Sequence, residues 1–234
     1  MSHTKILITY GPSCQRHDML EKLIAAGASA VRYNFSHGSP EEYKQLLQTV
    51  RTISQTLAKP VAVLADLQGP KIRCGELPPR GLHLESGERA LLSEKRLGGK
   101  LPWIPVAARL LKNVRVGHRI LFDDGRIEAE VMQRSAAGLV IEVRYGGTLF
   151  SRKGINFPDS KLAVPCLTPQ DREHVKAVCR YGADFLALSF VRDAKDIKML
   201  RQLTARYDAA AIPIIAKIEK PEAIDQLQGI LGES

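Results

Sequence analysis

Short apolar runs alternate with segments of helical periodicity over most of the chain. The runs are rich in valine, isoleucine, leucine and aromatic residues, as are strands buried on both faces of a parallel sheet. Five runs are predicted to be strands, at residues 5–10, 30–35, 60–66, 184–190 and 213–219. Between them, apolar residues recur three and four positions apart and mark one face of a helix. Five strand–helix units in this order predict a parallel sheet with right-handed crossovers.

Capping residues mark where the predicted helices begin and end. Residues 39–42 (Ser-Pro-Glu-Glu) combine an N-cap, a first-turn proline and a capping-box glutamate, and residues 168–171 (Thr-Pro-Gln-Asp) repeat the N-cap and the proline. Asp193 is a third predicted N-cap. Gly27 is predicted to end the first helix, and Pro221 to open a last helix that runs to the end of the sequence.

The alternation breaks between residues 74 and 164. Short alternating runs there are separated by turns that contain glycine, and residues 123–125 (Asp-Asp-Gly) are typical of a hairpin connection. We therefore expect residues 74–164 to form a small β-domain, inserted into an α/β domain of residues 1–73 and 165–234. The α/β domain could be an open doubly wound sheet or most of an unfinished (β/α)₈ barrel. No Gly-x-Gly-x-x-Gly or Walker sequence follows a strand, which disfavours the open nucleotide-binding folds.

Composition narrows the class of protein further. The apolar fraction of 44% and the charged fraction of 25% are typical of a soluble globular protein. The sequence has neither a run of about eighteen apolar residues nor a secretory signal, so a cytoplasmic protein with no membrane span is expected. The four cysteines lie far apart, which predicts reduced thiols rather than disulfides or a zinc site.

Part of the net charge of +9 comes from the segment between Lys95 and Phe122, which has seven basic residues and no acidic one. Only Trp103 and Phe122 offer aromatic platforms there, so nucleic acid is not an expected partner. A solvated face, or a field that attracts phosphorylated small molecules, fits the segment better.

Polar side chains occur at the carboxyl ends of four predicted strands. They are, in strand order, Arg32, Asn34 and Ser36; Asp66 with Gln68 and Arg73 after it; Ser189 and Arg192; and Lys217 and Glu219. Such groups need partners when they are buried, and barrel enzymes assemble their sites at these strand ends. A structural network of paired charges is the alternative interpretation. His37, which follows the second strand, is interpreted as a hydrogen-bonding partner rather than as an acid or base.

The residue types point to a reaction class. Arg32, Arg73 and Lys217 are suited to binding phosphate, and Lys217 could also neutralise charge that develops in a transition state. Glu219, with Asp66 nearby, offers hard oxygen ligands for Mg²⁺. The sequence shows neither a Ser/His/Asp triad nor a cysteine nucleophile, which favours phosphoryl transfer or enolate chemistry.

Six stretches of the chain resemble pyruvate kinases, in the same order along the sequence. They are residues 4–6 with 11–13, 32–38, 66–73, 123–125, 153–156 and 214–219. The Asn-Phe-Ser-His-Gly, Gln-Gly-Pro-Lys-Ile-Arg and Ala-Lys-Ile-Glu sequences within them are specific. The resemblance implies a (β/α)₈ TIM barrel, of which about five strands are present, with a small β-barrel lid domain inserted after the third strand. It also implies the glycolytic transfer of a phosphoryl group from phosphoenolpyruvate to ADP, which gives pyruvate and ATP.

The resemblance assigns roles to individual residues. Arg32 would contact the transferring phosphoryl group, and Lys217 would bind substrate and stabilise the transition state and the enolate. Glu219 would be one of two carboxylates that hold Mg²⁺ or Mn²⁺. The nucleotide would be bound by Arg73 and Lys153, near Asn34, Ser36 and His37.

The resemblance also identifies a potassium pocket. It is formed by Asn34, Ser36, Asp66 and the backbone of Leu67. Potassium-dependent members carry an acidic residue where this chain has Lys71. Because a tethered ammonium can replace a monovalent cation, K⁺ is expected not to be required.

The family continues beyond the part that this chain resembles. A sixth strand with an Arg-Gly-Asp motif would supply the second metal carboxylate, and a C-terminal domain would help to build a homotetramer. We therefore expect this polypeptide alone to be poorly soluble or oligomeric and to lack turnover. Two alternatives remain at this stage: a non-catalytic partner protein derived from a pyruvate kinase, and another barrel enzyme that uses phosphoenolpyruvate or pyruvate, such as an aldolase.

Overall fold

The computed structural model describes residues 4–96, 98–136, 138–160, 162 and 164–234. The chain forms two compact units. Unit 1 combines the chain up to Pro70 with the chain from Pro165 onward, and unit 2 is Lys71–Val164.

The elements are numbered along the chain. They are β1 (Ile6–Thr9), α1 (His17–Ala25), β2 (Ala28–Asn34), α2 (Pro40–Thr56), β3 (Ala62–Asp66), β4 (Leu82–Leu84), β5 (Arg89–Ser93), β6 (Trp103–Pro105), a 3₁₀ turn (Ala108–Leu111), β7 (Arg119–Phe122), β8 (Ile127–Ser135), β9 (Gly138–Tyr145), β10 (Gly147–Leu149), β11 (Ile155–Asn156), α3 (Pro169–Tyr181), β12 (Phe185–Leu188), α4 (Ala194–Ala205), β13 (Ile214–Ala216), α5 (Pro221–Asp225) and α6 (Leu227–Leu231). None of the helices described here is both long and apolar enough to cross a membrane.

Unit 1 is built on a five-stranded parallel sheet in the order β1-β2-β3-β12-β13, which confirms the predicted parallel alternation. Val31, Val63 and Leu186, one from each of three neighbouring strands, are fully buried. In the pairing register, Asp66 lies beside Asn34 on one side and Ala187 on the other. The carboxyl ends of β2, β3 and β12 therefore reach the same edge of the sheet.

The predicted helix caps are confirmed. The Ser39 hydroxyl accepts a hydrogen bond from the Glu42 backbone N–H, and the Glu42 carboxylate accepts one from the Ser39 N–H. Thr168 and Asp171 make the same reciprocal pair at α3, and the Asp193 carboxylate caps α4. Each cap satisfies N–H groups that have no partner inside the helix.

Two predictions near the end of the chain are wrong. The fifth strand was expected to reach residue 219, but β13 ends at Ala216. Among the described strands, β13 pairs with β12 alone. β12 ends at Leu188, whose carbonyl accepts the Lys217 N–H at 3.0 Å, so the described part of the sheet offers residues 218 and 219 no strand to pair with. The last helix is not continuous either, because Gln226 (φ −107°, ψ 12°) separates α5 from α6.

Unit 2 contains a six-stranded sheet in the order β11-β7-β8-β9-β5-β6 and a two-stranded sheet of β10 and β4. Phe122, Phe157 and Ile141 lie in its own buried apolar core. The predicted hairpin joins β7 to β8, with positive φ at Asp123, Asp124 and Gly125. The φ values suit the short, polar residues found there.

The four cysteines are free thiols, as expected. Cys14, Cys74 and Cys166 are buried, and burial raises the pKa of Cys166 to about 12. A thiol held in this state is a poor nucleophile at neutral pH.

Candidate functional site

Asp66 is the buried centre of a polar cluster at the carboxyl edge of the unit 1 sheet. Only 2% of the residue is exposed. Its Oδ2 accepts hydrogen bonds from Arg32 Nε at 2.7 Å and pairs with Arg32 Nη2 at 2.6 Å. Because Arg32 lies on β2 and Asp66 ends the neighbouring β3, the parallel register brings the two side chains together.

Lys217 also contacts the Asp66 carboxylate. Its Nζ lies 3.2 Å from Asp66 Oδ1 and 2.8 Å from Ser189 Oγ. The Ser189 hydroxyl donates its hydrogen to the Leu67 carbonyl at 2.6 Å, so its oxygen is free to accept from the ammonium. The buried carboxylate thus holds two cations, whereas from the sequence Asp66 was expected near Glu219 as an oxygen ligand for Mg²⁺ and in the potassium pocket.

Glu219 lies beside Lys217, with 3.4 Å between Oε1 and Nζ. Its other oxygen, Oε2, accepts a hydrogen bond from the Phe190 N–H at 2.9 Å. Phe190 follows β12 and has a φ of +56°, a conformation that costs an aromatic residue about 1–3 kcal/mol. This left-handed turn aims the Phe190 N–H at Glu219 and fixes one of the two carboxylate oxygens.

Close packing supports that turn. Gly69 has a φ of +66°, and a Cβ atom placed on it would lie 2.9 Å from the Phe190 ring and 3.0 Å from Ser189.

Lys220 Nζ lies 6.0 Å from the centre of the Phe190 ring. Burial lowers the pKa of Lys220, and the positive charge of Arg192 adds to this effect.

Arg32 keeps hydrogen-bonding capacity after its contacts with Asp66. A guanidinium has five N–H groups. Nε and Nη2 contact Asp66, and Nη1 donates to Thr9 Oγ1 at 3.2 Å. Two N–H groups remain for an anion, and the side chain is 28% exposed.

The segment from Asn34 to His37 lies next to this cluster. The Asn34 side-chain oxygen accepts the Ser36 N–H at 3.0 Å, and the Phe35 N–H donates to the Asp66 carbonyl at 3.0 Å. His37 is exposed. The Phe35 ring points inward and stacks on His174 with 4.4 Å between ring centres.

The remaining predicted residues belong to unit 2. Arg73 pairs with Gly154, and its Nη1 donates to the Arg152 carbonyl at 3.0 Å. Lys153 Nζ lies 2.8 Å from Asp123 Oδ1. Lys71 is exposed. The two cations predicted to bind the nucleotide, Arg73 and Lys153, are thus neighbours on one edge of unit 2.

One predicted member of the strand-end set has a structural role instead. The Arg192 guanidinium makes hydrogen bonds of 3.0 and 2.9 Å to Asp196, one turn further along the chain. Conversely, the contact of Thr9 with Arg32 and the turn at Phe190 were not predicted. The contact of Thr9 could have been anticipated, because Thr9 ends β1 at the same edge of the sheet. The positive φ of Phe190 could not, because an aromatic residue does not favour that conformation.

The fold and the site together define an α/β protein with two cations and two carboxylates at the carboxyl edge of a parallel sheet, a class suited to phosphate and divalent-metal chemistry. Sequence comparison gives the particular family. The family model for the barrel domain of pyruvate kinase matches residues 1–234, and the chain belongs to the pyruvate kinase family.

Among its relatives are three proteins named pyruvate kinase. The one from Geobacillus stearothermophilus is 37% identical over 97% of this chain and 39% of its own length. Those from Mycobacterium tuberculosis (strain CDC 1551 / Oshkosh) and Haemophilus influenzae are 36% and 38% identical, over 97% and 96% of this chain and 48% and 47% of their own lengths. The chain therefore spans less than half the length of these relatives.

Proposed function

We propose that this chain supplies the substrate-binding part of a pyruvate kinase active site, which transfers a phosphoryl group from phosphoenolpyruvate to ADP and gives pyruvate and ATP. The observation that carries the proposal is the convergence of Arg32 and Lys217 on the buried Asp66, with Glu219 beside them. Asp66 and Glu219 balance the two cations in this cluster, and a divalent ion held by Glu219 would leave positive potential for a phosphate group.

Arg32 and Lys217 would have different roles in binding the substrate. The two remaining N–H groups of Arg32 would bind oxygens of the transferring phosphoryl group. The Lys217 ammonium, 28% exposed, would turn from Asp66 and Ser189 towards the charge that develops on the phosphoryl group and the enolate oxygen. Asp66 would hold both cations at the site before the substrate binds, and the Lys217 ammonium would then exchange its contacts for the substrate.

Glu219 fits the role of a ligand for Mg²⁺ or Mn²⁺. Its side chain is 36% exposed, whereas that of Asp66 is 3% exposed and both Asp66 oxygens contact cations. Mg²⁺ usually takes one or two carboxylates together with waters and substrate oxygens. Within the described part of the chain, no group of three or more His, Cys, Asp or Glu side chains forms a complete site. When bound, the ion would neutralise negative charge on the substrate; a second carboxylate would come from outside this cluster.

We also propose that the five parallel strands are part of a (β/α)₈ barrel and that residues 74–164 act as its lid. Arg73 and Lys153 would bind ADP or ATP together with Asn34, Ser36 and His37. Lys153 would have to leave Asp123, its partner at 2.8 Å, to contact the nucleotide. Closure of such a lid would exclude water and favour transfer to ADP over hydrolysis.

K⁺ is not required in this proposal. Two oxygens of the pocket inferred for it already accept one hydrogen bond each: the Asn34 side chain from the Ser36 N–H, and the Leu67 carbonyl from the Ser189 hydroxyl. The Lys71 ammonium would replace the ion. Activation by KCl well beyond that given by NaCl at equal ionic strength would contradict this part of the proposal.

The complete enzyme would be a cytoplasmic homotetramer of glycolysis, and this chain alone would lack turnover. We also expect the chain alone to associate, because β1 and β13 are edge strands and Ile6, Leu7 and Ile215 on them are 50%, 50% and 40% exposed. Exposed apolar edges favour association with other strands.

A chimera tests the proposed reaction. In the Haemophilus influenzae relative, the segment that matches this chain would be replaced by it, and ATP formation from phosphoenolpyruvate and ADP measured. We expect turnover in the chimera, a loss of at least about 10²-fold in kcat with Lys217→Met, and little change with Lys198→Met, a lysine at the surface. A folded chimera without turnover, or one indifferent to Lys217→Met, would contradict the proposal.

A further inference from the structure

Unit 2 contains a cleft that the proposed reaction does not use. It has a volume of about 460 Å³ and is lined by Lys112, Asn113, Arg115, His118 and Asp159. Clefts of roughly 300–1,000 Å³ hold small ligands. Every one of these five side chains can hydrogen-bond, so the cleft is suited to a polar rather than an apolar ligand.

The cleft is positively charged despite the presence of Asp159. That carboxylate accepts the backbone N–H and the Nε–H of Arg119 at 2.9 and 3.1 Å on one oxygen and Nη2 at 2.9 Å on the other. These bonds lower the pKa of Asp159, which keeps it ionised and paired. Among the described residues, neither Lys112 nor Arg115 has a carboxylate within ion-pair distance. Two uncompensated cations therefore remain.

His118 adds a hydrogen-bond donor. Its Nδ1 accepts the backbone N–H of Arg115 at 3.3 Å and lies 2.8 Å from the hydroxyl of the buried Ser160. A neutral imidazole with Nδ1 as acceptor carries its hydrogen on Nε2. The ring thus contributes an N–H rather than a second acceptor to the side chains that line the cleft.

The segment that bears these residues is held rigidly. Arg134 Nη1 donates to the carbonyls of Leu111 and Val114 at 2.7 and 2.6 Å. Val131 accepts the Gly117 N–H at 2.8 Å, and its own N–H donates to the His118 carbonyl at 2.9 Å. Because the backbone is already ordered, an incoming ligand loses less conformational entropy on binding.

We propose that this cleft binds a small polyanion of the phosphate class, through Lys112, Arg115 and the Nε2–H of His118. Four of the five lining residues lie in the stretch between Lys95 and Phe122, which has seven basic residues and no acidic one. That stretch raises the local concentration of anions, while the cleft supplies the directed contacts.

The test is a titration of the chain with inorganic pyrophosphate at physiological ionic strength. The reporter is the His118 Cε1–H proton resonance, assigned by its loss in His118→Gln. We expect a saturable shift whose apparent Kd rises at least about tenfold in Arg115→Gln and in Lys112→Gln, the loss of one charge-assisted contact each. Arg109→Gln is the matched control, because it removes one charge from the same stretch without altering the lining of the cleft; its Kd should stay within about twofold.

Three outcomes would overturn the proposal. The first is the absence of a saturable His118 shift up to about 10 mM pyrophosphate. The second is equal weakening by Arg109→Gln and Arg115→Gln, which would indicate a diffuse field. The third is saturation by a single-stranded oligonucleotide but not by pyrophosphate, which would indicate a nucleic-acid surface. Emission from Trp103, in the same unit, checks that each variant is folded.

Discussion

The substitution Asp66→Asn removes the charge that holds the two cations of the site. The Asp66 side chain is 3% exposed and lies 2.6 Å from Arg32 Nη2 and 3.2 Å from Lys217 Nζ. At an effective dielectric constant of about 20, one ion pair at about 3 Å is worth roughly 5 kcal/mol before desolvation is subtracted. Removing one partner of a buried pair typically costs about 3–5 kcal/mol. Because both cations are partly exposed, we expect the free energy of unfolding to fall by about 2–4 kcal/mol.

Urea unfolding can follow the two units separately. Helices α1 to α6 all belong to unit 1, so circular dichroism at 222 nm reports mainly on that unit. The single tryptophan of the sequence, Trp103, belongs to unit 2. With a slope of about 2 kcal/mol per M, the circular dichroism midpoint should fall by about 1–2 M in Asp66→Asn. The midpoint of Trp103 fluorescence should stay near that of the parent.

A surface aspartate provides the control for this substitution. Asp18 pairs with Arg16 in the same unit, and both side chains are exposed, so Asp18→Asn should leave the midpoint unchanged within error. The reasoning is refuted if Asp66→Asn unfolds within about 0.3 M of the parent protein or at higher urea concentration. Such a result would mean that Asp66 does not organise Arg32 and Lys217.

Three further predictions concern the frame around the site. Gly69→Ala should lower the stability of unit 1 by about 1–3 kcal/mol in urea unfolding, because Gly69 has a positive φ and an added Cβ would lie 2.9 Å from the Phe190 ring and 3.0 Å from Ser189. Gly11→Ala, where an added Cβ meets open space and φ is not positive, should change the stability much less, and equal losses would contradict this reasoning. Burial lowers the pKa of His174, so as the pH falls the unfolded chain protonates this imidazole before the folded chain does. The free energy of unfolding of unit 1 should therefore fall by about 1 kcal/mol between pH 7.5 and pH 5.5. His174→Phe should flatten this pH dependence, and an unchanged dependence would refute the attribution to His174. Ser39→Ala should lower the free energy of unfolding of unit 1 by about 1 kcal/mol, because the capping hydrogen bond from the Glu42 N–H is lost. An unchanged urea midpoint would contradict a stabilising role for this cap.

The sequence was sufficient where local chemistry determines the structure. The caps at Ser39, Thr168 and Asp193 were predictable because each satisfies N–H groups within its own helix. That Arg32, Asp66 and Lys217 lie at one edge of the sheet was predictable because parallel strands end there; that Asp66 pairs with both cations was not predicted.

The sequence was insufficient where neighbouring elements determine the structure. β13 stops at Ala216 because β12 offers no further partner, which the apolar run at residues 213–219 cannot reveal. The turn at Phe190 depends on close packing against Gly69 and on a bond to Glu219, both distant in sequence. Arg192 pairs with Asp196 on the first turn of a helix, a partner that its position at a strand end does not predict.

The central claim is that Arg32, Lys217 and Glu219 form a phosphate- and metal-binding site in this chain. The most direct test is calorimetric titration of the chain with phosphoenolpyruvate, with and without Mg²⁺. We expect saturable binding that Mg²⁺ strengthens, that Lys217→Met weakens at least about tenfold, and that Glu219→Gln makes independent of Mg²⁺. Lys198→Met, on the surface of the same unit, should bind like the parent. No binding by the folded chain, or equal binding by Lys217→Met and the parent, would contradict the claim.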